Sequence, residues 1–515
     1  MKSFSIAVAL LFAVAGTSQS TESTFGNCCS GASVKRHAVS GCQELAFDTS
    51  ATTSTANFEA RCERHLLVTF PWSTSNIGDI AITPGLLSLI HEVRPNMPVV
   101  IITSREADTE NYRTLRDYLP RYLPGCKTIG YPFKLTASGA AWRAFEQRWG
   151  ASQLRAFENG SLSARIAARV ADDILNRLPK EVLEELQRDN PEAARAFTDA
   201  GFVLFTSGTT LNFGRMGVRN LRGFTLRFAM PLLIARAHGI PYGVNAQSFD
   251  ALDWPASLIF RPLFQDARFV YCRDPDSLEY LRQNNLLCPR TGWRPDTTFF
   301  FNGFDDAWAD EFMKKHGLQK GEFITVTIRS VDQKGPLAGT ISAERGEQMI
   351  ARIRRFIEDW VRHTGLAVVL APEVNTEVEA MHNNIYLKLS SHAQKKCIEM
   401  EQFWTTEQAY SLYRRARIVV SMEMHSIIMA LCLGRPVLMP QFSENGRKVW
   451  MLEELGLRDW IFDIDEPDCN GPLLEAAMRI HKDPAAAQQR VRSRLPHIRQ
   501  LGVSVINEVE MAWRR

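Results

Sequence analysis

Short, unbroken apolar runs that end in polar loops constrain this chain most. "RHLLVTF" (64–70), "MPVVIITS" (97–104), "GFVLFTSG" (201–208), "EFITVTIRS" (322–330), "LAVVLAPE", "RIVVSME" and "RPVLMP" are continuous rather than alternating. That is the pattern of parallel strands covered on both faces. Segments with helical spacing separate them: "IAITPGLLSLIHEV", "GFTLRFAMPLLIARAHG" with Gly239 placed to end it, "DSLEYLRQNN", "EQMIARIRRFIEDWVRHTG", "TEQAYSLYRRA" and "HSIIMALCLG". Strand, loop, helix, strand is a βαβ unit. The series pauses in the polar, aromatic stretch "FFFNGFDDAWADEFMKKHG" and restarts at residue 322. The expected fold class is α/β, with two doubly wound, Rossmann-like domains facing each other across a cleft. Ligands of such sheets sit outside the carboxyl ends of the strands.

The first α/β domain is expected over 61–310, the second over 311–465, and C-terminal helices over 466–515. "WRAFEQRWGASQLRAFENG" and "PKEVLEELQRDNPEAARAFTDAG" break the rhythm of the first domain and read as a helical insertion over about 135–200. Residues 21–60 are rich in Ser, Thr, Ala and Gly and read as a poorly ordered leader. Residues 1–20 read as a secretory signal peptide: Lys2, the apolar run "SIAVALLFAVAG", then small residues in "GTSQS" with cleavage expected between Gly16 and Ser20. The run is shorter than the roughly 20 apolar residues that span a bilayer. The expectation is a secretory or extracytoplasmic protein with no stable membrane insertion after cleavage.

The 515 residues are 45% hydrophobic and 23% charged, enough apolar mass for sizeable cores. A net charge of +3 argues against nucleic acid as a partner, which calls for a basic surplus. Of the 10 cysteines, Cys28, Cys29 and Cys42 crowd the leader, where a secretory route would let them pair; no C-x-x-C spacing points to a metal. Asn159 in "NGS" is the glycosylation sequon.

The polar clusters of interest follow strands. "STSNIGD" (73–79) supplies Asn76, Gly78 and Asp79 ahead of a helix, a place for an anion or a hydroxylated ligand, or simply for a helix cap. "TSGTTLNFG" (206–214) puts Gly208 in a second loop of this kind, without the lysine of a P-loop or a G-x-G-x-x-G. Arg329, ending "TIRS", suits a carboxylate or phosphate, or a surface ion pair. His425 falls on the first turn of "HSIIMALCLG", either as an acid or base or as ordinary packing; the helix dipole there disfavours the imidazolium. Lys448, past the next strand, reaches the same mouth or stays a surface charge.

In order, "TSNIGDIAI", "FTSGTTLNF", "AQS", "YCRDPDSLEYL", "RPDTTFF", "ITVTIRS" and "SMEMHSIIMALCLGRPVLMP", with Lys448 and "LEELGL" behind, resemble the polysaccharide pyruvyl transferase family over about residues 64–460. The resemblance implies a fold like the GT-B glycosyltransferases. It implies transfer of pyruvate from phosphoenolpyruvate, as donor substrate and with no other cofactor, onto two hydroxyls of a glycan or polysaccharide acceptor. It further implies that Arg329 and Lys448 hold the donor anion, that Asn76, Gly78 and Gly208 line the site, and that His425 acts as acid or phosphate contact. Asp79, on the opposite half, is the candidate to receive a hydroxyl proton. One position departs from the pattern: Glu423 stands where the family carries Arg, two residues before the histidine. At about 4 Å and an effective dielectric of about 20, two unit charges interact by about 4 kcal/mol, so a carboxylate there opposes an anionic donor unless it is paired or turned away. It also stands to raise the pKa of His425. Two other functions fit the scaffold: a GT-B-type glycosyltransferase using a nucleotide sugar, and a non-catalytic glycan-binding relative, for which Glu423 is the argument.

Overall fold

A computed structural model of the chain describes residues 64–71, 75–214, 218–329 and 341–513. The signal and leader segments, with Cys28, Cys29 and Cys42, lie outside the described residues. Among the described residues, Cys126, Cys272, Cys288, Cys397, Cys432 and Cys469 are free thiols.

Thirteen strands are found among the described residues. The first group is β1 His65–Thr69, β2 Val99–Ile102, β3 Lys127–Ile129, β4 Ala200–Phe205, β5 Tyr242–Gln247, β6 Val270–Cys272 and β7 Thr291–Trp293. The second is β8 Phe323–Thr327, β9 Ala367–Leu370, β10 Cys397–Glu399, β11 Val419–Ser421, β12 Val437–Gln441 and β13 Ile461–Asp463. The first group forms one sheet in the order β3-β2-β1-β4-β5-β6-β7, the second another in the order β10-β9-β8-β11-β12-β13. All pairings are parallel: Leu66 lies beside Val99 and Phe202, and Val420 beside Val326 and Leu438. Both orders reverse direction beside the first strand of the sheet, the doubly wound arrangement in which loops at the carboxyl edge open a crevice. The α/β expectation of two doubly wound, Rossmann-like sheets is thus what the chain adopts.

The expected strands are all present, with ends shifted by one to three residues: most are trimmed, while β4 starts one residue earlier and β12 ends one residue later than expected. The edge strands β3, β7, β10 and β13 were not expected from the sequence. Each is three residues long and bonded on one side alone, too short to leave a periodic signal.

Over 135–200 the chain forms the helices Ala140–Trp149, Ala151–Glu158, Ala164–Asp172, Leu178–Asp189 and Pro191–Thr198. They are part of the first lobe: Phe145, Phe157, Ile174, Leu178 and Phe197 share one apolar core with Val203, Phe205 and Leu233. Glu185 caps the first of these helices, accepting the N–H groups of Ala140 (2.9 Å) and Ala141 (3.1 Å).

The opposite face of the first sheet is continuous with the second lobe. Leu66, Ile101 and Phe202 belong to the same buried cluster as Ile324, Val420 and Leu438. Two elements fix this docking. The helix Ile77–Val93 is apolar around its circumference because it lies between lobes, as such helices do. It comes so close to the 297–301 turn that a Cβ on Gly85 would stand 2.0 Å from the Thr297 carbonyl oxygen. The helix Leu495–Trp513 returns to the first lobe, where Glu510 and Asn507 accept hydrogen bonds from Arg94 (2.6 and 3.0 Å) and Glu508 one from the Tyr271 hydroxyl (2.7 Å).

Candidate functional site

The lobes meet at the starts of two helices, Ile77–Val93 after β1 and Met424–Cys432 after β11. The backbone zips them together. The Ile77 N–H donates to the Glu373 carbonyl (3.0 Å), the Asn375 N–H donates to the Ser75 carbonyl (3.2 Å), and the Thr406 hydroxyl donates to the Ile77 carbonyl (2.9 Å).

Asn76 caps the first helix. Its Oδ1 accepts the N–H groups of Gly78 (2.8 Å) and Asp79 (2.9 Å), satisfying two donors that the helix start would leave open. The cap, one of the two alternatives for this position, is therefore what its oxygen provides. Gly78 and Asp79 belong to the helix rather than to the loop before it. A Cβ on Gly78 would stand 2.1 Å from the His425 Cβ, so only glycine allows the two helix starts to approach this far.

His425 is 5% exposed. Its Nδ1 lies 3.4 Å from Asp79 Oδ1, which belongs to the other lobe, and 3.5 Å from Glu373 Oε1. Its Nε2 is buried and has no hydrogen-bond partner among the described residues. Burial opposes a charge on the ring, but Glu373, Asp79 and Asp296 outweigh it and raise the pKa above the usual 6.5. Three carboxylates thus act against the helix dipole, and the raising effect expected of Glu423 comes first from Glu373, Asp79 and Asp296.

Glu423 is buried and paired. One oxygen meets the Arg329 guanidinium just past β8, and the other lies 3.9 Å from Lys448 Nζ, in the turn after β12. Burial pushes the Glu423 carboxyl up against the pull of both cations. Burial likewise pulls the Lys448 ammonium down, opposed by Glu423 and reinforced by the nearby Arg329 and Arg273 charges. Thus both cations expected to hold an anion share one internal carboxylate. Arg329 and Lys448 keep 15% and 20% of their side chains exposed, and Asp79 keeps 29%.

Gly208 stands apart from His425. It bridges Gln247 on the carboxyl edge of the first sheet, and its carbonyl accepts the Ser248 N–H (2.8 Å). Ser248 leads on to a buried ionic network. Its hydroxyl donates to Asp274 (2.6 Å) and accepts from Arg273 Nε (2.7 Å), and Arg273 Nη1 pairs with Asp296 at 2.7 Å. Asp296 in turn feels the charge of His425.

Glu373 and Glu377 escaped the sequence reading. Glu373 ends "LAVVLAPE", the same strand-end position that made the other residues candidates, and that was the available signal. Its Oε2 accepts both the Ser426 N–H and hydroxyl at 2.7 Å. Burial raises the Glu373 carboxyl, but His425 and Ser426 prevail and lower it. Glu377 accepts the Glu373 N–H (2.6 Å), and burial, with Glu423 and Glu373 nearby, pushes its carboxyl well above the usual carboxylate range.

The polysaccharide pyruvyl transferase family model matches residues 76–439. No curated protein matches the chain. Among solved structures, UDP-GlcNAc 2-epimerase from Neisseria meningitidis bound to UDP-GlcNAc is 12% identical with a TM-score of 0.49, over 87% of this chain and 99% of its own. Spinosyn rhamnosyltransferase SpnG complexed with thymidine diphosphate is 13% identical with a TM-score of 0.44, over 87% and 100%. The calicheamicin glycosyltransferase CalG4 is 12% identical with a TM-score of 0.44, over 88% and 99%.

Proposed function

The chain belongs to the polysaccharide pyruvyl transferase family, and on that premise we propose that it transfers pyruvate from phosphoenolpyruvate to two hydroxyls of a glycan, forming a cyclic ketal. It is an enzyme of the transferase class. The observation that carries the fuller reading is the meeting of His425 and Asp79 from opposite lobes at 3.4 Å, with Arg329 and Lys448 gathered by Glu423 beside them.

The chemistry needs a proton for the methylene carbon of the donor. Protonation makes the adjacent carbon electrophilic; two hydroxyls attack it, and phosphate leaves. Of the two hydroxyl protons lost, one balances the new methyl group and the other leaves with phosphate. His425, favoured as imidazolium, is the proton donor. Asp79, the more exposed carboxylate beside it, receives a hydroxyl proton. Arg329 and Lys448 take the donor's anionic groups when Glu423 yields them, by accepting a proton or by turning aside. Gly208, through Ser248 and Arg273, supports the wall of the same crevice from the first lobe. The signal-like residues 1–20 and the exposed Asn159 sequon favour an acceptor met along the secretory route or outside the cytoplasm. No helix among the described residues is long and apolar enough to cross a membrane.

The pairing of Glu423 with both cations is what favours the second reading, a glycan binder without turnover. Phosphate release from phosphoenolpyruvate, measured across galactose-, mannose- and N-acetylhexosamine-terminated acceptors, tests the proposal. Acceptor-dependent release supports it. Glycan binding with no release from any acceptor supports the second reading, and saturable binding of a nucleoside diphosphate instead of phosphoenolpyruvate would point to a nucleotide sugar.

A further inference from the structure

We propose that Glu373 is a positioning residue that fixes the proton of His425 on Nδ1 and so leaves Nε2–H as the group that delivers a proton to the donor. The inference rests on the functional reading above for the identity of the donor, but not for the state of the ring.

Two carboxylates compete for one ring nitrogen, since Asp79 and Glu373 both approach Nδ1, while Nε2 is hydrogen-bonded to neither. They differ in how firmly they are held. Glu373 is 1% exposed, and its Oε2 is clamped by the Ser426 N–H and hydroxyl, the latter also accepting from the Tyr413 hydroxyl at 3.1 Å. Its backbone N–H is tied to Glu377 and its carbonyl to Ile77 across the lobe boundary. The remaining oxygen, Oε1, is buried and has no hydrogen-bond partner among the described residues other than the approaching imidazole. A carboxylate oxygen accepts only, so the nitrogen it faces must carry the hydrogen. Nε2, buried and unpartnered, is then left for substrate. Asp79, on a helix of the opposite lobe and far more exposed, remains available to the acceptor hydroxyl.

The other charges around the ring are consistent with this division. Asp296, from the turn before residues 297–300, is committed to Arg273 and the Thr298 N–H. Glu423, on the strand end before the ring's own helix, is committed to Arg329 and Lys448. Glu377 is engaged by the N–H groups of Glu373 and Val374. Glu373 is thus the carboxylate with a rigid frame and a free oxygen at Nδ1.

The test uses full-length protein labelled at histidine with 15N and 13C, with His425 assigned from the spectrum of H425Q. In the wild type the imidazolium should persist above pH 6.5, and on deprotonation the ring should keep its hydrogen on Nδ1. In Glu373→Gln the amide oxygen can keep the Ser426 bonds while its NH2 faces Nδ1, which then must accept. The His425 titration should fall by about one pH unit or more, the neutral ring should carry its hydrogen on Nε2, and kcat should drop about 100-fold, the low end of general-acid catalysis, with KM for phosphoenolpyruvate changed far less. Ser426→Ala, which removes one of the two clamps, should shift the titration in the same direction by less, and it serves if Glu373→Gln does not fold. An unchanged His425 titration and tautomer in both variants overturns the proposal. The predicted NMR shift in a protein that releases no phosphate from phosphoenolpyruvate supports the assignment of Glu373 and refutes the donor.

Discussion

Substituting alanine for Gly78 is a sharp test of whether the site depends on the lobes closing on each other. The added Cβ would stand 2.1, 2.7 and 2.9 Å from the Cβ, Cγ and Nδ1 of His425. Carbon atoms in contact keep about 3.5–4.0 Å, so roughly 1.5 Å must open between the two helix starts or the imidazole must swing away. The backbone resists, because Ile77 is bonded to Glu373 and to Thr406, and Ser75 to Asn375. Overpacking of this kind costs about 1–3 kcal/mol, while alanine regains up to about 1 kcal/mol over glycine in a helix. The net loss of stability is therefore about 3 kcal/mol at most. Catalysis should suffer more, since a displacement of about 1 Å can cost about 100-fold in rate. We expect kcat/KM for phosphate release to fall about 100-fold or more while urea unfolding shows a native fold with only a modestly lower midpoint. Wild-type turnover in Gly78→Ala would refute the reasoning, because it would mean that the approach of the helices to His425 has no part in the reaction.

Glu423→Gln should lower KM for phosphoenolpyruvate by about 10-fold or more, since it frees two cations from a unit charge worth up to about 4 kcal/mol at such distances; a higher KM in steady-state kinetics would show that the carboxylate assists binding. Glu423→Arg, which puts in the residue that the family resemblance implies, places a third cation against Arg329 and Lys448 and should destabilise the fold by about 3–5 kcal/mol in urea unfolding. The pH dependence follows from the raised pKa of His425. Stability from its carboxylate partners should be complete below about 6.5 and lost as pH rises through the folded-state value, and kcat should fall along the same limb; urea midpoints and kcat profiles that stay flat above pH 6.5 would contradict it. Arg273→Met, which strands Asp296 in the core, should cost about 3–5 kcal/mol in denaturant unfolding, with much of the loss recovered when Asp296→Leu is added. His425→Ala should abolish phosphate release with an unchanged circular dichroism spectrum; retained activity would return His425 to a packing role.

The sequence by itself determined the sheets and the candidates. Most of the inner strands and the Gly-stopped helices between them are written in local apolar runs, as "ITVT" and "RIVVS" illustrate, because a strand covered on both faces must be continuously apolar. The edge strands "KTI", "TGW", "CIE" and "IFD" were not legible, since pairing on one side alone demands no such run. His425, Asp79, Arg329, Glu423 and Lys448 were each readable as polar groups at strand ends. Only the tertiary structure decided that Glu423 is shared by both cations, that Asn76 spends its oxygen as a cap, that the Gly208 carbonyl holds the Ser248 N–H, and that Glu373 stands beside His425. It also set three carboxylates near His425 that raise its pKa against the helix dipole. The reason is the range of the forces involved: burial and helix spacing are set by residues a few positions apart. Pairing and protonation are set by separations under about 4 Å between groups that the chain keeps far apart until the lobes dock.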